Sequence, residues 1–446
     1  MDSENKHGAG SMQTTENGVI ARGADLFSPV IEEAALVHGM DTMYRPLNKS
    51  SEGPIEFNIK TMGMNYIDLP RTRLFAQLKI TQGNGANLPN NTQVAFVNLP
   101  LSSMFKTIDV EIGGALYPHL GNTFAHYKAY LETILSYSSS AQEGHLKASL
   151  FHLDTAGHFE SFADDENLAY QRRKVMCAGS ASFQVSSPVH CDFFQMDKYW
   201  PPGNELTFRF HRSSDAFAIM SNAGGANFKI VIEDIKLYIR HITLADSIVN
   251  LHIKQFEKQL ATFPLNKTEL KTSAHPANLT NLNIPNLFNG LIPKSIIITF
   301  VPSANFNGTY GTNPYYFRHY FCNYAALTVN GITIPSDPYK PDFERSLFTR
   351  EYRDFFDNVG IGHDDLGNAM TPELYAGGMF MIAFDLSPDK CNGFHSHPRS
   401  TGNINLDLAF AQATDSAFTV LAFATFDNVI RLDKNSRITS EMNYGD

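Results

Sequence analysis

Three side chains of the kinds that bind transition metals lie close together near the C-terminal end of the sequence. Cys391, His395 and His397 fall within the ten residues "CNGFHSHPRS". Thiolate and imidazole groups are the ligands that zinc, copper and iron accept most readily in proteins. The stretch is therefore a candidate metal site, to be weighed against the simpler interpretation of a polar loop.

The pair His395 and His397 resembles the His-x-His pair of cupins, which are metal-binding jelly rolls. In that pattern a Glu follows within a few residues and a further His lies on a later strand. Neither Glu nor His occurs between Pro398 and Ser440. A metal site would need ligands from elsewhere, and this favours a loop.

Other groupings of reactive side chains are equally weak as catalytic sites. His190 and Cys191 are neighbours, but adjacent residues of a strand point to opposite faces and cannot form a Cys-His nucleophile pair. The acidic groups Asp164–Glu166 and His363–Asp365 lie in turn-rich sequence and are interpreted as surface charge. No GxSxG, P-loop or GxGxxG pattern follows a strand. We therefore predict that the protein is not an enzyme and binds no cofactor or metal.

Composition and charge narrow the class of protein further. The chain has 446 residues, 43% hydrophobic and 18% charged, with 34 Phe and 18 Tyr, which is typical of β-rich packing. A net charge of −10 argues against a general nucleic-acid binder. The short basic run Gln171–Lys174 is interpreted as a solvated loop. Four cysteines are too few for a disulfide framework and are predicted to be buried thiols.

The N-terminal sequence "MDSENKHGAGSMQTTENG" is polar and has no apolar core of a signal peptide. No stretch approaches the 18 or so apolar residues that span a bilayer. We expect a protein made inside the cell, with no membrane segment and with a flexible arm at its N-terminus.

Short alternating stretches predict β-strands along most of the chain. "LFAQLKI" from Leu74 and "TIDVEIGG" from Thr107 alternate apolar and polar residues. Two stretches instead have helical periodicity: "TFAHYKAYLETILSY" from Thr123, with one apolar face, and "ADSIVNLHIKQFEKQL" from Ala245, with Asp246 as its N-cap. The fold class is therefore all-β, with helices in the connecting loops.

The order of these elements occurs twice. "IDVEIGG" and "LTVNGITIP" place Val110 opposite Val329 at an offset of 219, and each precedes a helical stretch. Leu206, Phe208 and Phe210 match Leu406, Leu408 and Phe410 at an offset of 200. Such repetition predicts two tandem jelly rolls. The expected division is a flexible arm over 1–50, jelly rolls over 51–244 and 245–435 with a boundary near Leu244, and a tail over 436–446.

The repeat also bears on the candidate metal site. Asp197-Lys198 matches Asp389-Lys390; Gly203 follows Lys198 by five positions, whereas Gly402 follows Lys390 by twelve. The segment with His395 and His397 is therefore interpreted as a seven-residue enlargement of a loop between strands, which suits subunit contact better than metal binding.

Several long stretches, in collinear order over about residues 50–435, resemble a known protein family. They are "YIDLPRTRLFAQLKIT", "FKTIDVEIGGALYPHLGNTFAHYKAYLETILSY", "HCDFFQMDKYWPPGNELTFRFHRSSDAFAIM", "FNGTYGTNPYYFRHYFCNYAALTVNGITIPSDPYKPDFE" and "GNINLDLAFAQATDSAFTVLAFATFDNVIRLD". This sequence is similar to the major capsid protein of the Polinton (Maverick) and adintovirus group.

The resemblance implies a double jelly-roll capsid protein without a catalytic site. It implies a homotrimer, pseudo-hexameric in outline, that tiles an icosahedral viral or transposon capsid and contacts penton and minor capsid proteins. The virion capsid is then its location. Lys6 and Arg22 of the arm carry too little charge for more than weak DNA contact.

Two other classes of function remain open from the residues alone: a bicupin-like metalloenzyme using His395 and His397, and a lectin-like β-sandwich binder. The aromatic segment Tyr315–Phe321 is expected to form buried packing or a surface between subunits, with Tyr316 and Phe317 contributing to trimer formation.

Overall fold

The computed structural model describes residues 33–48, 53–60, 63–225, 227–363, 367–390, 397–435 and 437–440, and the backbone of residues 14–15 and 18–19. Over these residues no helix is both long enough and apolar enough to cross a lipid bilayer.

Eight principal strands build a first unit. They are β1 (Leu36–Tyr44), β2 (Ile55–Ile59), β3 (Tyr66–Gln82), β4 (Phe105–Ile112), β5 (Ala115–Leu116), β6 (Phe183–Pro188), β7 (Leu206–Arg212) and β8 (Phe228–Leu244). One sheet has the order β1-β8-β3-β6 and the other the order β2-β7-β4-β5.

Eight further strands build a second unit. They are β9 (Ala261–His275), β10 (Asn281–Leu291), β11 (Ser295–Pro302), β12 (Cys322–Val329), β13 (Ile332–Tyr339), β14 (Ile382–Asp385), β15 (Thr401–Phe410) and β16 (Phe418–Leu432). Their sheets have the orders β9-β16-β11-β14 and β10-β15-β12-β13.

Every strand of the second unit occupies the place of the strand eight earlier in the first. Each unit thus has two antiparallel sheets with four principal strands in each and the same crossed connections, which is the jelly-roll topology. The predicted all-β double jelly roll with helices in its connections is confirmed.

The hairpins β4-β5 and β12-β13 show how the repeat aligns. Their turns, Gly113-Gly114 and Asn330-Gly331, have positive φ angles at both residues, as tight turns between twisted strands require. These turns align Ile112 with Val329. The expected match of Val110 with Val329 is therefore wrong by two residues, although the side chains still face the same side of the sheet.

The same shift affects the neighbouring strand. Leu206 pairs with Ile112 and Ile404 pairs with Val329, so Leu206 corresponds to Ile404 rather than to Leu406. Apolar alternation repeats every two residues, and a slip of two leaves the pattern unchanged. The pairing partners, which the sequence does not display, are needed to find the register.

In the described part of the chain the connections contain four helices of ten or more residues: α1 (Ala125–Ser136), α2 (Leu168–Cys177), α3 (Asp246–Phe256) and α4 (Thr349–Asn358). Shorter α-helical turns are Pro100–Ser103, Ser139–Glu143, Asp215–Ala218, Ser303–Asn307 and Pro372–Ala376, and 3₁₀ turns are His145–Ser149, Ala178–Ser180 and Asp192–Gln195. Short strands are Thr14–Thr15, Gly18–Val19, Val94–Phe96, Asn122–Thr123, Ile219–Ser221 and Ile438–Ser440.

Two details of the predicted helices are wrong. Helix α1 does not expose a polar face, because nine of its twelve residues are buried, including His126 and Lys128. In α3 the N-cap is Ala245, and Asp246 is the first helical residue.

The predicted arm over residues 1–50 is wrong for Leu36–Tyr44. These nine residues are strand β1, which pairs with β8 at the edge of the first unit's sheet. Within the predicted C-terminal tail, Ile438–Ser440 pairs with β16. Strand β8 ends at Leu244, and α3 follows before the second unit begins.

The two units are packed against each other through extensive apolar surface. Phe263 and Leu265 of β9 belong to the apolar cluster of the first unit. Tyr127 and Tyr130 of α1 belong to the apolar cluster of the second. Because each unit contributes side chains to the apolar core of the other, the two cores are continuous across the junction.

Candidate functional site at the junction of the two units

The candidate metal site is only partly within the described residues. Cys391 and His395 lie outside them. His397 places Nε2 3.0 Å from Asp389 Oδ1, and its backbone N–H donates to Asp427 Oδ2 at 3.3 Å. Among the residues whose positions are described, no three His, Cys, Asp or Glu side chains are grouped closely enough to hold a metal ion.

The connection containing these residues is not enlarged as predicted. Residues 189–205 join β6 to β7, and residues 386–400 join β14 to β15, which is two residues fewer. The alignment on Asp197-Lys198 overlooked the preceding 3₁₀ turn Asp192–Gln195, which lengthens the first connection and packs into the junction.

The neighbours His190 and Cys191 point apart, as predicted. His190 Nδ1 lies 2.7 Å from Glu132 Oε2, while the Cys191 thiol donates to the Leu120 carbonyl at 3.4 Å. Burial raises the pKa of Cys191 to about 12, and likewise those of Cys177 and Cys322. These three thiols are free, buried and poor nucleophiles.

The acidic group Asp164–Glu166 is exposed, as predicted. Asp164 lies 3.4 Å from Lys174, and Glu166 lies 3.3 Å from His158. In the other acidic group His363 is exposed, and Asp364 and Asp365 lie outside the described residues.

The interpretation of Gln171–Lys174 as a solvated loop is wrong. The run lies in α2, and the Arg173 side chain is fully buried. Its Nη2 is 2.8 Å from Asp154 Oδ1, and its other nitrogens donate to the carbonyls of Phe96 and His152. The buried charge is tolerated because the guanidinium donates four hydrogen bonds and pairs with a carboxylate.

The Asp154 carboxylate extends this network into the second unit. It accepts hydrogen bonds from Asn98 at 2.9 Å and from Asn167 at 3.1 Å, both in the first unit. It also accepts one from Asn313 of the second unit at 3.2 Å. Asn313 is fully buried, and its own side-chain carbonyl accepts from the Tyr315 N–H at 3.0 Å.

A second charged cluster at the junction centres on Asp192, which is fully buried. Lys128 of α1 places Nζ 3.0 Å from Oδ1, and Lys267 of β9 places Nζ 3.2 Å from Oδ2. Thr268 donates to the carboxylate through its N–H at 3.0 Å and its hydroxyl at 2.7 Å. Asn122 donates to Oδ2 at 2.9 Å. One carboxylate of the first unit thus holds two consecutive residues of β9.

The positive groups of the cluster keep its two carboxylates, Asp192 and Glu132, in the ionised form. Burial alone would raise the pKa of Asp192, but Lys128, Lys267 and the hydrogen bonds from Thr268 together hold it below its usual range. Burial would likewise raise the pKa of Glu132, but Lys128 and His190 lower it well below its usual range. Each carboxylate therefore stays ionised, as a buried ion requires when partners surround it.

Aromatic rings fill the space between the two polar networks. Tyr315 of the second unit stacks on Tyr130 of α1 with 4.1 Å between ring centroids and 6° between planes. Phe317 meets Tyr130 edge-on at 5.8 Å, and Tyr316 stacks on Phe159 at 5.6 Å. The predicted buried packing is confirmed for Tyr315, Phe317 and Tyr320 of the segment, and the ring partners described here lie in the same chain.

The sequence contained only part of the information needed to find this junction. The aromatic density around Tyr315 was a usable signal. Asp192 and Lys128 were not recognised because a single carboxylate or lysine has no distinguishing pattern, and their partners are distant in sequence: Lys267 and Thr268 lie in another unit.

Sequence comparison finds a similar protein but no matching family. No protein-family model matches the sequence. An uncharacterized protein of Caenorhabditis elegans, F54H12.2, is 25% identical over 396 residues, which cover 86% of this chain and 92% of that protein.

Three solved structures share the fold at 12%, 12% and 11% sequence identity. A chain of the Sputnik virophage structure has a TM-score of 0.65 and covers 98% of this chain and 95% of its own. The PBCV-1 virus capsid has a TM-score of 0.59, covering 94% and 100%, and the mavirus major capsid protein has 0.54, covering 99% and 97%. This chain therefore shares its double jelly-roll fold with structures of viral capsids and of a virophage.

Replacement of Asp192 by Asn should destabilise the whole chain. Lys128 and Lys267 would stay buried without their shared carboxylate, which typically costs about 3–5 kcal/mol. Trp200 is the only tryptophan and packs 5.1 Å from Phe263 across the junction, so its fluorescence reports unfolding there. D192N should unfold at a lower denaturant concentration than the unmodified protein, whether unfolding is followed by fluorescence or by circular dichroism.

The control is E143Q, which breaks the exposed pair with Lys147 and should leave the midpoint of unfolding unchanged. An unaltered midpoint in D192N would contradict the assignment.

Acid should weaken the junction through His126. Burial, and secondarily the charge of Lys106, lower the pKa of His126 to about 3, against 6.5 for an unperturbed histidine. Between these values the unfolded chain binds a proton that the folded chain does not, so stability falls as pH falls, by up to about 1.4 kcal/mol per pH unit. The variant H126F keeps the ring that packs 4.3 Å from Phe217 and should lose less stability from pH 6 to pH 4. Equal pH slopes for the two proteins would show that His126 does not contribute.

Proposed function

We propose that this protein is a structural capsid subunit that forms homotrimers and, through them, an icosahedral shell. The observation that carries the proposal is the duplicated eight-strand topology, which extends over nearly the whole chain and is shared with virophage and viral capsid structures. Three copies of two like units present six similar blocks around one axis, which suits close tiling.

The junction supports a mechanical role. A shell subunit has to keep its two units in a fixed orientation, because an error in their angle would be multiplied over the lattice. The Asp192 cluster and the Tyr130–Tyr315 stack set this orientation with directional contacts and dense packing. Three of the four cysteines are buried, with pKa values raised to about 12, so they suit packing rather than catalysis.

Within this function we further propose the Polinton (Maverick) and adintovirus type, from the collinear stretches described above. Its expected surroundings are the virion capsid, with penton and minor capsid proteins as partners and with weak or no DNA contact. We also propose that the chain divides into two domains near Leu244, where β8 ends. The arm residues Lys6 and Arg22 lie outside the described residues.

The experiment that tests the function measures assembly and bound metal on the same purified full-length protein. Sedimentation should give a species of three times 49.7 kDa or a larger particle. Negative-stain electron microscopy should show threefold particles or shells, and elemental analysis should find no stoichiometric transition metal. Monomers or dimers with stoichiometric metal would replace the proposal with a bicupin-like enzyme, and carbohydrate binding without assembly would replace it with a lectin-like binder.

A matched variant separates the two leading interpretations. Ala at both His395 and His397 should leave assembly nearly intact, because the ion pair of His397 is with Asp389, a side chain that is itself 41% exposed, and such exposed pairs contribute little. Loss of bound metal together with activity in this variant would favour the enzyme.

A further inference from the structure

The first unit has an apolar edge that the second unit lacks. Strand β1 exposes Val37 by 67%, Met40 by 52% and Met43 by 42%. It lies at the end of its sheet, with β8 on one side. Strand β9 occupies the same place in the second unit, but its Phe263 is only 3% exposed.

The pairing register shows which residues of β1 and β9 correspond. Phe228 of β8 pairs with the last residue of β3, and Phe418 of β16 pairs with the last residue of β11. Counting eight paired positions along each strand, and skipping the bulged residue Glu233 on β8, leads to Leu237 on β8 and to Phe426 on β16. These two residues therefore correspond.

The correspondence then passes to the edge strands. Tyr44 pairs with Leu237, and Lys267 pairs with Phe426. Four residues earlier on each edge strand are Met40 and Phe263. Met40 thus occupies in the first unit the position that Phe263 occupies in the second.

Phe263 is buried because the first unit covers it. Its ring lies 5.1 Å from that of Trp200, in the connection between β6 and β7. Lys198 of the same connection donates to the carbonyl of Thr262 at 2.6 Å. In each chain the β6–β7 connection of the first unit therefore covers the edge strand of the second.

The matching surfaces within one chain are exposed among the residues that the structure describes. The equivalent connection of the second unit, between β14 and β15, exposes Pro388, Asp389 and Lys390 on one flank and Pro398 and Arg399 on the other. The equivalent edge strand is β1. A contact that uses different surfaces on the two partners can repeat from copy to copy and close into a ring.

We propose that β1, through Met40 and Val37, docks against a second copy of this chain at residues 386–390 and 397–400, which flank its β14–β15 connection, and so repeats the contact that joins the two units within a chain. This inference rests on the proposed function and identifies one of its contact surfaces. Tyr44 stands where Lys267 stands, so the charged cluster is not repeated, and Met40 and Val37 supply the apolar part of the contact.

A photo-reactive benzophenone amino acid at position 40 tests the contact directly. Full-length protein carrying the probe is mixed in ¹⁴N and ¹⁵N forms, its assembly is measured by sedimentation, and it is then irradiated. Cross-links should join light and heavy chains and should map to the second unit, at residues 386–390 or 397–400. The same probe at Val175, which is 72% exposed on α2, is the control and should not give these cross-links.

The results distinguish failure of the proposed β1 contact from failure of the proposed capsid function. Oligomers whose position-40 cross-links stay within one chain, or reach another part of the second copy, overturn the surface and leave the proposed function standing. A protein that remains monomeric overturns both. As a second measurement, M40E should raise the concentration for half-assembly by roughly tenfold or more, as loss of a central apolar contact does, while V175E should not. Equal melting temperatures of the monomers would show that M40E still folds.

Discussion

The structure depends on a buried carboxylate that serves both units. Asp192 belongs to a connection of the first unit, yet two of its partners, Lys267 and Thr268, belong to the first strand of the second. An ion in such a place is tolerated only when charges and hydrogen bonds surround it, and this requirement fixes where β9 can lie. The relative position of the two units is thereby restricted in a way that apolar packing alone would leave looser.

The rest of the junction follows from that restriction. With β9 in place, Phe263 lies against Trp200 in the core of the first unit, and α1 lies deep enough for Tyr130 to stack on Tyr315. The second polar network, from Arg173 through Asp154 to Asn313, joins the units again at another point. Two attachments with apolar packing between them make a stiff block. The exposed surfaces of this block are those available to a neighbouring chain.

The fold was largely predictable because its signal is local and repeated. Alternating residues gave the strands, and the recurrence of "IDVEIGG" in "LTVNGITIP" gave two units. The register was not predictable, because a slip of two residues preserves the alternation that the prediction used. Strand β1 was assigned to the arm because its apolar side chains are exposed and its alternation is weak.

The junction was predictable only where residue type was distinctive. The aromatic run at Tyr315 indicated burial, whereas Arg173 was misassigned because a basic run resembles a solvated surface until its partners are known. Asp154 and Asn313, which neutralise and extend it, are separated by more than 150 residues. Long-range ionic partners of this kind leave no periodic pattern in a single sequence.

The most direct test of the account is a cryo-electron microscopy reconstruction of the purified, assembled protein. The account predicts a ring of six similar β-blocks made by three chains, in which Leu36–Tyr44 of each chain lies against the second unit of the next. A reconstruction in which the two units of one chain are separated, or in which the protein forms no closed assembly, would contradict it.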